Sequence, residues 1–466
     1  AFALLALQPV PPAAQEWSRF RGPNGSGVSA ARDLPEAIGP QQNVRWRRPF
    51  AAGHSSPVLG NDAVFLTAAD EQGLTVAAVV QATGELRWQR RLERAHRQEV
   101  FPANGSATPS PVTDGSNVYV FFPELGLAAF NAAGEDRWRL PLGPFHSFYG
   151  MAASPVLAGD TLVLLCDQQR GSFLLAVDVA TGKEKWRSAR TGQIESWTTP
   201  VLFPTKEPRS ILVFGTFRAA SYALESGAEE WSVGSLGYTP VCSPVLWERP
   251  RTYAPGPARL FVSVPFHAEG GAMQTFAAMS AQFDKDQDAR LTKEELVGSG
   301  YDEHFGWADA DLDGRITEAE WTFIAEGMSS RDFGLVAFAL GEKAPKELWR
   351  AKRGLPSIAT PLLLDGLLYL VKSGGMLTLL DAESGEEVAF QRLEGGGEYD
   401  ASPVAGEGKV YLASQEGRLT VLAAGPEPKV LSTSELGETI HATPAIGQGA
   451  LFVRSDAALY CFGKPD

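Results

Sequence analysis

Ser154-Pro155-Val156 opens the most regular stretch of the chain. Two apolar runs follow, Thr161 to Cys166 and Ser172 to Asp178, and then Thr181-Gly182-Lys183-Glu184-Lys185-Trp186. The runs are strand-length, and Thr-Gly after the second reads as a hairpin turn into the Trp strand, in which Gly supplies positive φ. The same pattern recurs along nearly the whole chain as [S/T]-P-[V/L/A], an apolar strand, a Gly-x-Leu strand and a T/S-G-x-x-x-Trp strand. Its anchoring prolines are Pro57, Pro111, Pro155, Pro200, Pro244, Pro361, Pro403 and Pro444. All spacings but one lie between 41 and 54 residues, near the repeat length of a four-stranded propeller blade.

The last unit ends after Ala458-Leu459-Tyr460-Cys461-Phe462, without a terminal Trp strand. Asn43-Val44-Arg45-Trp46-Arg47 near the N-terminus is such a strand without the rest of its blade. Joining the two completes an eighth blade and removes the open edge of the ring. The sequence therefore predicts an all-β, eight-bladed β-propeller of four-stranded blades, closed by N- and C-terminal strands. Trp46, Trp88, Trp138, Trp186, Trp231 and Trp349 fall on equivalent outer strands, where a large apolar side chain packs between blades. Units 6 and 7 depart from this, with Ala389 and Val430 there.

Composition agrees. The 466 residues are 44% hydrophobic and 21% charged, a core-forming mixture. The 48 Gly and 32 Pro exceed the usual ~12% combined share, as many turns require. A net charge of −14 argues against a nucleic-acid partner, which needs a basic face. Ala1-Phe-Ala-Leu-Leu-Ala-Leu7 with Pro11-Pro12-Ala13-Ala14 after it reads as the remnant of a signal peptide over residues 1–14. No later apolar run reaches the ~20 residues of a membrane span. A periplasmic or extracellular protein is expected. Cys166, Cys242 and Cys461 are an odd number in apolar strands and read as buried free thiols.

The repeat resembles the PQQ-like, quinoprotein-like or BamB-like β-propeller repeat over residues 17–466, apart from one insertion. Trp17-Ser-Arg-Phe-Arg-Gly-Pro-Asn-Gly-Ser-Gly27 is similar to the start of exported bacterial members. The resemblance is specific for fold and open for function, since relatives include quinone-cofactor alcohol dehydrogenases and non-enzymatic scaffolds of outer-membrane protein assembly.

The exceptional spacing is the 117 residues between Pro244 and Pro361. Unit 5 begins with Ser243-Pro244-Val245 and Leu260 to Val264, but its third strand resumes only at Leu335 to Phe338. The division expected is propeller over 15–264, an inserted EF-hand pair over 265–334 and propeller again over 335–466. The insert carries Asp284-Lys-Asp286-Gln-Asp288-Ala-Arg290-Leu-Thr292-Lys-Glu-Glu295 and Asp309-Ala-Asp311-Leu-Asp313-Gly-Arg315-Ile-Thr317-Glu-Ala-Glu320. Both fit the twelve-residue EF-hand loop. Carboxylates at positions 1, 3 and 5, the backbone carbonyl of Arg290 or Arg315, Thr292 or Thr317 through water, and bidentate Glu295 or Glu320 would supply hard oxygens to Ca²⁺. Leu291 and Ile316 would join the two loops. Ala289 stands where the second loop has Gly314, so the first of two calcium sites is expected to be the weaker. Helices are expected over Met273–Phe283, Thr292–Ala308 and Glu318–Glu326. Residues 282–320 carry 12 acidic and 4 basic side chains, which makes folding of the insert calcium-dependent.

Three residues before each anchoring proline the chain should enter the channel mouth. These residues are His54, Thr108, Ala152, Trp197, Val241, Ile358, Asp400 and His441. Asp400, His441 and His54 fall in neighbouring units once the ring closes, and with Trp197 they form a candidate ligand site. The same residues would equally line a wet channel. A quinoenzyme would, by the resemblance, bring a channel calcium site, a catalytic Asp and often an adjacent-cysteine disulfide. The disulfide is impossible here, so PQQ is not expected. The reading is an exported, calcium-binding scaffold or binding protein with a protein or glycan partner and no catalytic residue. The alternative is a PQQ-dependent alcohol or sugar dehydrogenase.

Overall fold

Eight four-stranded antiparallel sheets follow one another around a central channel. The computed structural model describes residues 17–98, 104–234, 236–238, 240–249, 256–264, 273–302, 305–309, 313–329, 332–341 and 344–464. The expected signal remnant over 1–14 and ligand Asp311 lie outside these residues. Blade 3 is representative, with strands Val156–Ala158, Thr161–Cys166, Phe173–Asp178 and Glu184–Ala189 from channel to rim. The two middle strands are buried on both faces because each blade is covered by a neighbour on either side. The outer strand is polar and half exposed.

Blade 8 is built from both ends of the chain. Its inner three strands are Ala445–Gly447, Ala450–Arg454 and Ala458–Gly463. Its outer strand is Val44–Pro49, antiparallel to Ala458–Gly463 with Trp46 opposite Cys461. This is the closure the two incomplete units require. Trp46 then donates from Nε1 to the Gln81 carbonyl of blade 1 at 2.8 Å.

The Trp and Thr-Gly elements of the repeat turn out to be one device shared between neighbouring blades. The Trp138 ring of blade 2 lies against Gly182 of the blade 3 turn, where an added Cβ would come within 2.5 Å of it. Gly182 has φ of 69°, so it serves both the turn and the ring contact. Trp138 Nε1 also donates to the Val179 carbonyl at 2.8 Å. Trp46, Trp88, Trp186 and Trp349 meet Gly84, Gly134, Gly227 and Gly385 in the same way.

A second ring closes the channel wall. The residue before each anchoring proline is Ser or Thr, and its hydroxyl accepts the backbone N–H of its counterpart in the preceding blade. Ser110 accepts from Ser56, Ser154 from Ser110, Thr199 from Ser154 and Ser243 from Thr199. Thr360, Ser402, Thr443 and Ser56 continue the circuit back to its start.

The N-terminal segment seals the far end of this channel. Trp17 and Ser18 accept from the N–H groups of Leu59 and Thr113. Arg19 donates to Pro200 O at 2.6 Å, and Arg21 to Thr360 O and Pro361 O at 2.9 and 3.0 Å. Val28–Ser29 adds a parallel strand to Val404–Gly406 of blade 7. The segment therefore touches the inner strands of blades 1, 2, 4, 6 and 7.

In blade 5, Val264 pairs with Gly334 across the sheet, and the residues between them leave it. Two helices there are α1 (Phe276–Phe283) and α2 (Phe305–Ala308); α3 (Glu318–Ser329) follows. The expected helix over Thr292–Ala308 is absent as such. Residues 293–300 form turns, with Gly298 and Gly300 at φ of 81° and 83°, and among the described residues of that span the α-helix is confined to Phe305–Ala308. Glycines in the left-handed region end a helix.

Candidate functional site

All eight channel-mouth positions line one funnel of about 650 Å³, together with the eight hydroxyl residues below them. Phe20 of the N-terminal segment is also part of the lining, so the funnel is blind at its far end.

One wall is an imidazole–carboxylate cluster from blades 1, 7 and 8. His441 Nδ1 lies 2.7 Å from Asp400 Oδ2, and Gln415 Nε2 donates to the same oxygen at 3.3 Å. The His54 and His441 rings lie 4.2 Å apart between centroids. Asp456, at the tip of the hairpin between Ala450–Arg454 and Ala458–Gly463, joins them. The two imidazoles are driven apart electrostatically. Burial, with His441 beside it, pushes the His54 pKa down to about 4, whereas the Asp400 hydrogen bond raises that of His441. Arg454 lies fully buried beneath, donating to the carbonyls of Ser55 and Ala51.

The opposite wall is aromatic. Trp197 donates from Nε1 to Gly150 O at 2.7 Å and packs edge-on against Tyr149, with centroids 5.5 Å apart. The loop carrying Trp197 and Glu195 is pinned by a buried pair in which Arg190 donates to both Asp167 oxygens, at 2.6 and 3.0 Å. Ser196 Oγ adds a donor to Asp167 at 2.7 Å. Burial holds the Glu195 carboxyl above its ordinary range against hydrogen bonds from Ser147, the Phe148 N–H, Trp307 and Gln169.

Trp307 belongs to the inserted segment, and it too lines the funnel. The apolar cluster of the insert is continuous with the propeller. Met279, Leu291, Leu296, Ile316, Trp321 and Ile324 pack with Ile194 and Phe217 of the blade loops. The Phe217 and Phe323 rings meet edge to face at 5.5 Å. The insert is thus seated over the funnel mouth.

The two acidic loops are joined by a two-residue ladder that pairs Leu291 with Ile316. In the first, carboxylate oxygens of Asp284, Asp286 and Glu295 lie within 4.8 Å of one another. Asp288 pairs with Arg315 of the other loop, and Asp313 reciprocally with Arg290 at 3.2 Å. Glu295 accepts from the Thr292 N–H and hydroxyl, and Glu320 from those of Thr317, each at 2.7–2.8 Å. The Ala289 N–H donates to Asp284 and the Gly314 N–H to Asp309. Such all-oxygen donors suit a hard cation.

Sequence reasoning missed Glu195, Asp456, Trp307, Tyr149 and Phe20. Glu195 and Trp307 each stand two residues before a residue it selected, Trp197 and Asp309. The others carry no repeat signature.

Residues 39–207 and 330–464 match the family described as outer membrane protein assembly factor BamB. The chain belongs to this PQQ-like β-propeller family. No curated protein matches it in sequence. Among solved structures, BamB from Moraxella catarrhalis aligns with a TM-score of 0.54 at 12% identity, over 90% of this chain and 99% of that one. A europium-containing methanol dehydrogenase aligns at 0.62 and 11%, over 95% and 90%. Quinohemoprotein alcohol dehydrogenase from Comamonas testosteroni gives 0.62 and 11%, over 97% and 81%. At these identities the likeness concerns the fold. Among the described residues, no helix is long and apolar enough to cross a membrane.

Proposed function

We propose that this family member is an exported, calcium-binding propeller that captures a protein or glycan partner at its funnel and catalyses no reaction. The observation that carries this reading is the blind funnel itself. Eight blades and the insert's Trp307 converge on one recess with an aromatic wall and an imidazole–carboxylate wall. Aromatic faces with a few convergent polar groups suit a sugar ring or a side chain presented by a partner. The family's description as an outer-membrane protein assembly factor supports a binding role outside the cytoplasm. Calcium fits the two acidic loops by its preference for carboxylate oxygens. Asp284, Asp286, Asp288 and Glu295, with Arg290 O and Thr292, would hold one ion. Asp309, Asp311, Asp313 and Glu320, with Arg315 O and Thr317, would hold the other. Bound calcium would neutralise the loops, while the chain's apolar cluster keeps Trp307 in the funnel wall.

The test pairs two titrations. Calorimetry with Ca²⁺ should show about two equivalents, and chelation should lower the helical circular dichroism of the insert. Titration with PQQ should give no stoichiometric absorbance change and no dye-linked alcohol oxidation. A one-to-one quinone complex with such activity would replace the binding reading by the dehydrogenase alternative.

A further inference from the structure

A ring nitrogen of His54, a ring nitrogen of His441 and a carboxylate oxygen of Asp456 lie within 4.8 Å of one another. They come from two adjacent blades, and His54 and His441 line the funnel. We propose that this trio is a binding site for a divalent transition metal of the zinc class, open toward the funnel.

Four features carry the proposal. Two imidazoles and one carboxylate form a donor set that suits zinc, cobalt or nickel, whereas the oxygen-only loops of the insert suit calcium. The chain would thus sort two kinds of cation by donor chemistry. Next, His441 is already oriented. Its Nδ1 is held by Asp400 at 2.7 Å, which leaves Nε2 to bind. A carboxylate on the far nitrogen of a ligating imidazole fixes its tautomer and raises its basicity.

The spacing is also suitable. Bonds of ~2.0–2.1 Å to a tetrahedral ion put donors roughly 3.3 Å apart, so small side-chain rotations close the set. Finally, the local charge favours a cation. The carboxylates of Asp400 and Asp456 outnumber the one guanidinium acting there, that of Arg454. Three protein donors leave a fourth position free, as in sites whose metal takes an exogenous ligand. Since His54 and His441 line the recess shared with Trp197, that position would open toward it. A metal here would anchor an anionic or oxygen-donor group of whatever enters. The inference rests on the reading of the funnel as a ligand site and adds the chemical class of its anchor.

Cobalt(II) is the probe, because its tetrahedral complexes absorb in the visible and calcium does not compete for imidazole. The full chain, saturated with calcium, should take up one equivalent of Co²⁺ with visible bands that Zn²⁺ abolishes. H54Q and H441Q should each weaken uptake at least ~100-fold. D400N should weaken it about 10–100-fold without changing the stoichiometry. E295Q/E320Q should leave it intact. Circular dichroism and melting of each variant check the fold, and D456N serves if a histidine variant fails to fold. Absence of a visible complex at tenfold excess Co²⁺ would overturn the proposal. So would uptake retained in H54Q/H441Q, or uptake lost in E295Q/E320Q. Failure of the metal site with calcium binding and partner capture intact would leave the binding reading standing.

Discussion

The hydroxyl of Ser56 in blade 1 accepts the backbone N–H of Thr443 in blade 8 at 3.0 Å. This bond spans 387 positions of sequence and completes a circuit of eight like bonds. The polar residue ahead of each proline is therefore a constituent of the channel wall. Proline has no N–H of its own, so the preceding N–H becomes the donor, and the neighbouring hydroxyl meets it. Both groups are buried, where an unmet donor is costly.

Ser56→Ala removes one acceptor and leaves the Thr443 N–H buried without it. The expected loss is about 1–3 kcal/mol, read as a lower melting midpoint. Ser56→Thr keeps the hydroxyl, and Thr already fills three of the eight places. It should melt close to the wild type. Equal destabilisation by both variants would show that packing, rather than the hydrogen-bond circuit, makes this position sensitive.

Glu407, in the turn after Val404–Gly406, tethers the N-terminal segment. Its two oxygens accept the N–H groups of Asp33 and Leu34 at 3.1 and 2.9 Å, and Lys409 donates to it at 3.0 Å. These bonds, that from Lys409 foremost, hold its pKa at about 2, below the ordinary 4.5. The unfolded chain therefore takes up the proton first on acidification. The contribution of Glu407 to stability is complete above about pH 4.5 and is lost as pH falls toward about 2. Melting from pH 5 to 2 should fall less steeply in E407Q than in the wild type. Parallel curves would mean that the tether carries no net charge-dependent stability.

The blades, their closure by Val44–Pro49 and the eight funnel positions were legible because each is written once per unit. A fixed offset from Pro57 or Pro444 is enough to find His54 or His441. Glu195 and Trp307 reach the funnel, and Asp456 the two histidines, from loops that differ between blades, so only the closed ring brings them there. The role of Trp17 to Ser29 was illegible for a related reason. Its contacts, such as Arg21 with Thr360, span hundreds of residues and follow no period. The helix expected over Thr292–Ala308 failed locally, because Gly298 and Gly300 interrupt an otherwise helical pattern.

Cys166, Cys242 and Cys461 are free and buried. Burial pushes the thiols of Cys242 and Cys461 up to about 12 and that of Cys166 well above its ordinary value. The thiolate is the reactive form, so the native protein should resist a thiol-specific reagent at pH 8. Three equivalents should react once guanidinium unfolds the chain. A thiol that reacts rapidly in the native protein would mark a blade that opens locally.

Ala289 and Gly314 occupy the same place in the two acidic loops and adopt the same left-handed backbone, with φ of 61° and 80°. For Ala this conformation costs about 1–2 kcal/mol that Gly does not incur. Charge repulsion opposes the loop until a cation arrives, so the strain is met on binding. Ala289→Gly should therefore tighten calcium at the first loop about 5–30-fold and leave the second unchanged. Calorimetry should show two unequal calcium steps in the wild type and nearly equal ones in the variant. Gly314→Ala should do the reverse, weakening the second loop by a similar factor. If Ala289→Gly leaves both steps where they were, backbone strain does not set the order of the two sites. Charge would then have to, since the first loop carries Lys285 and Lys293 and the second carries no lysine.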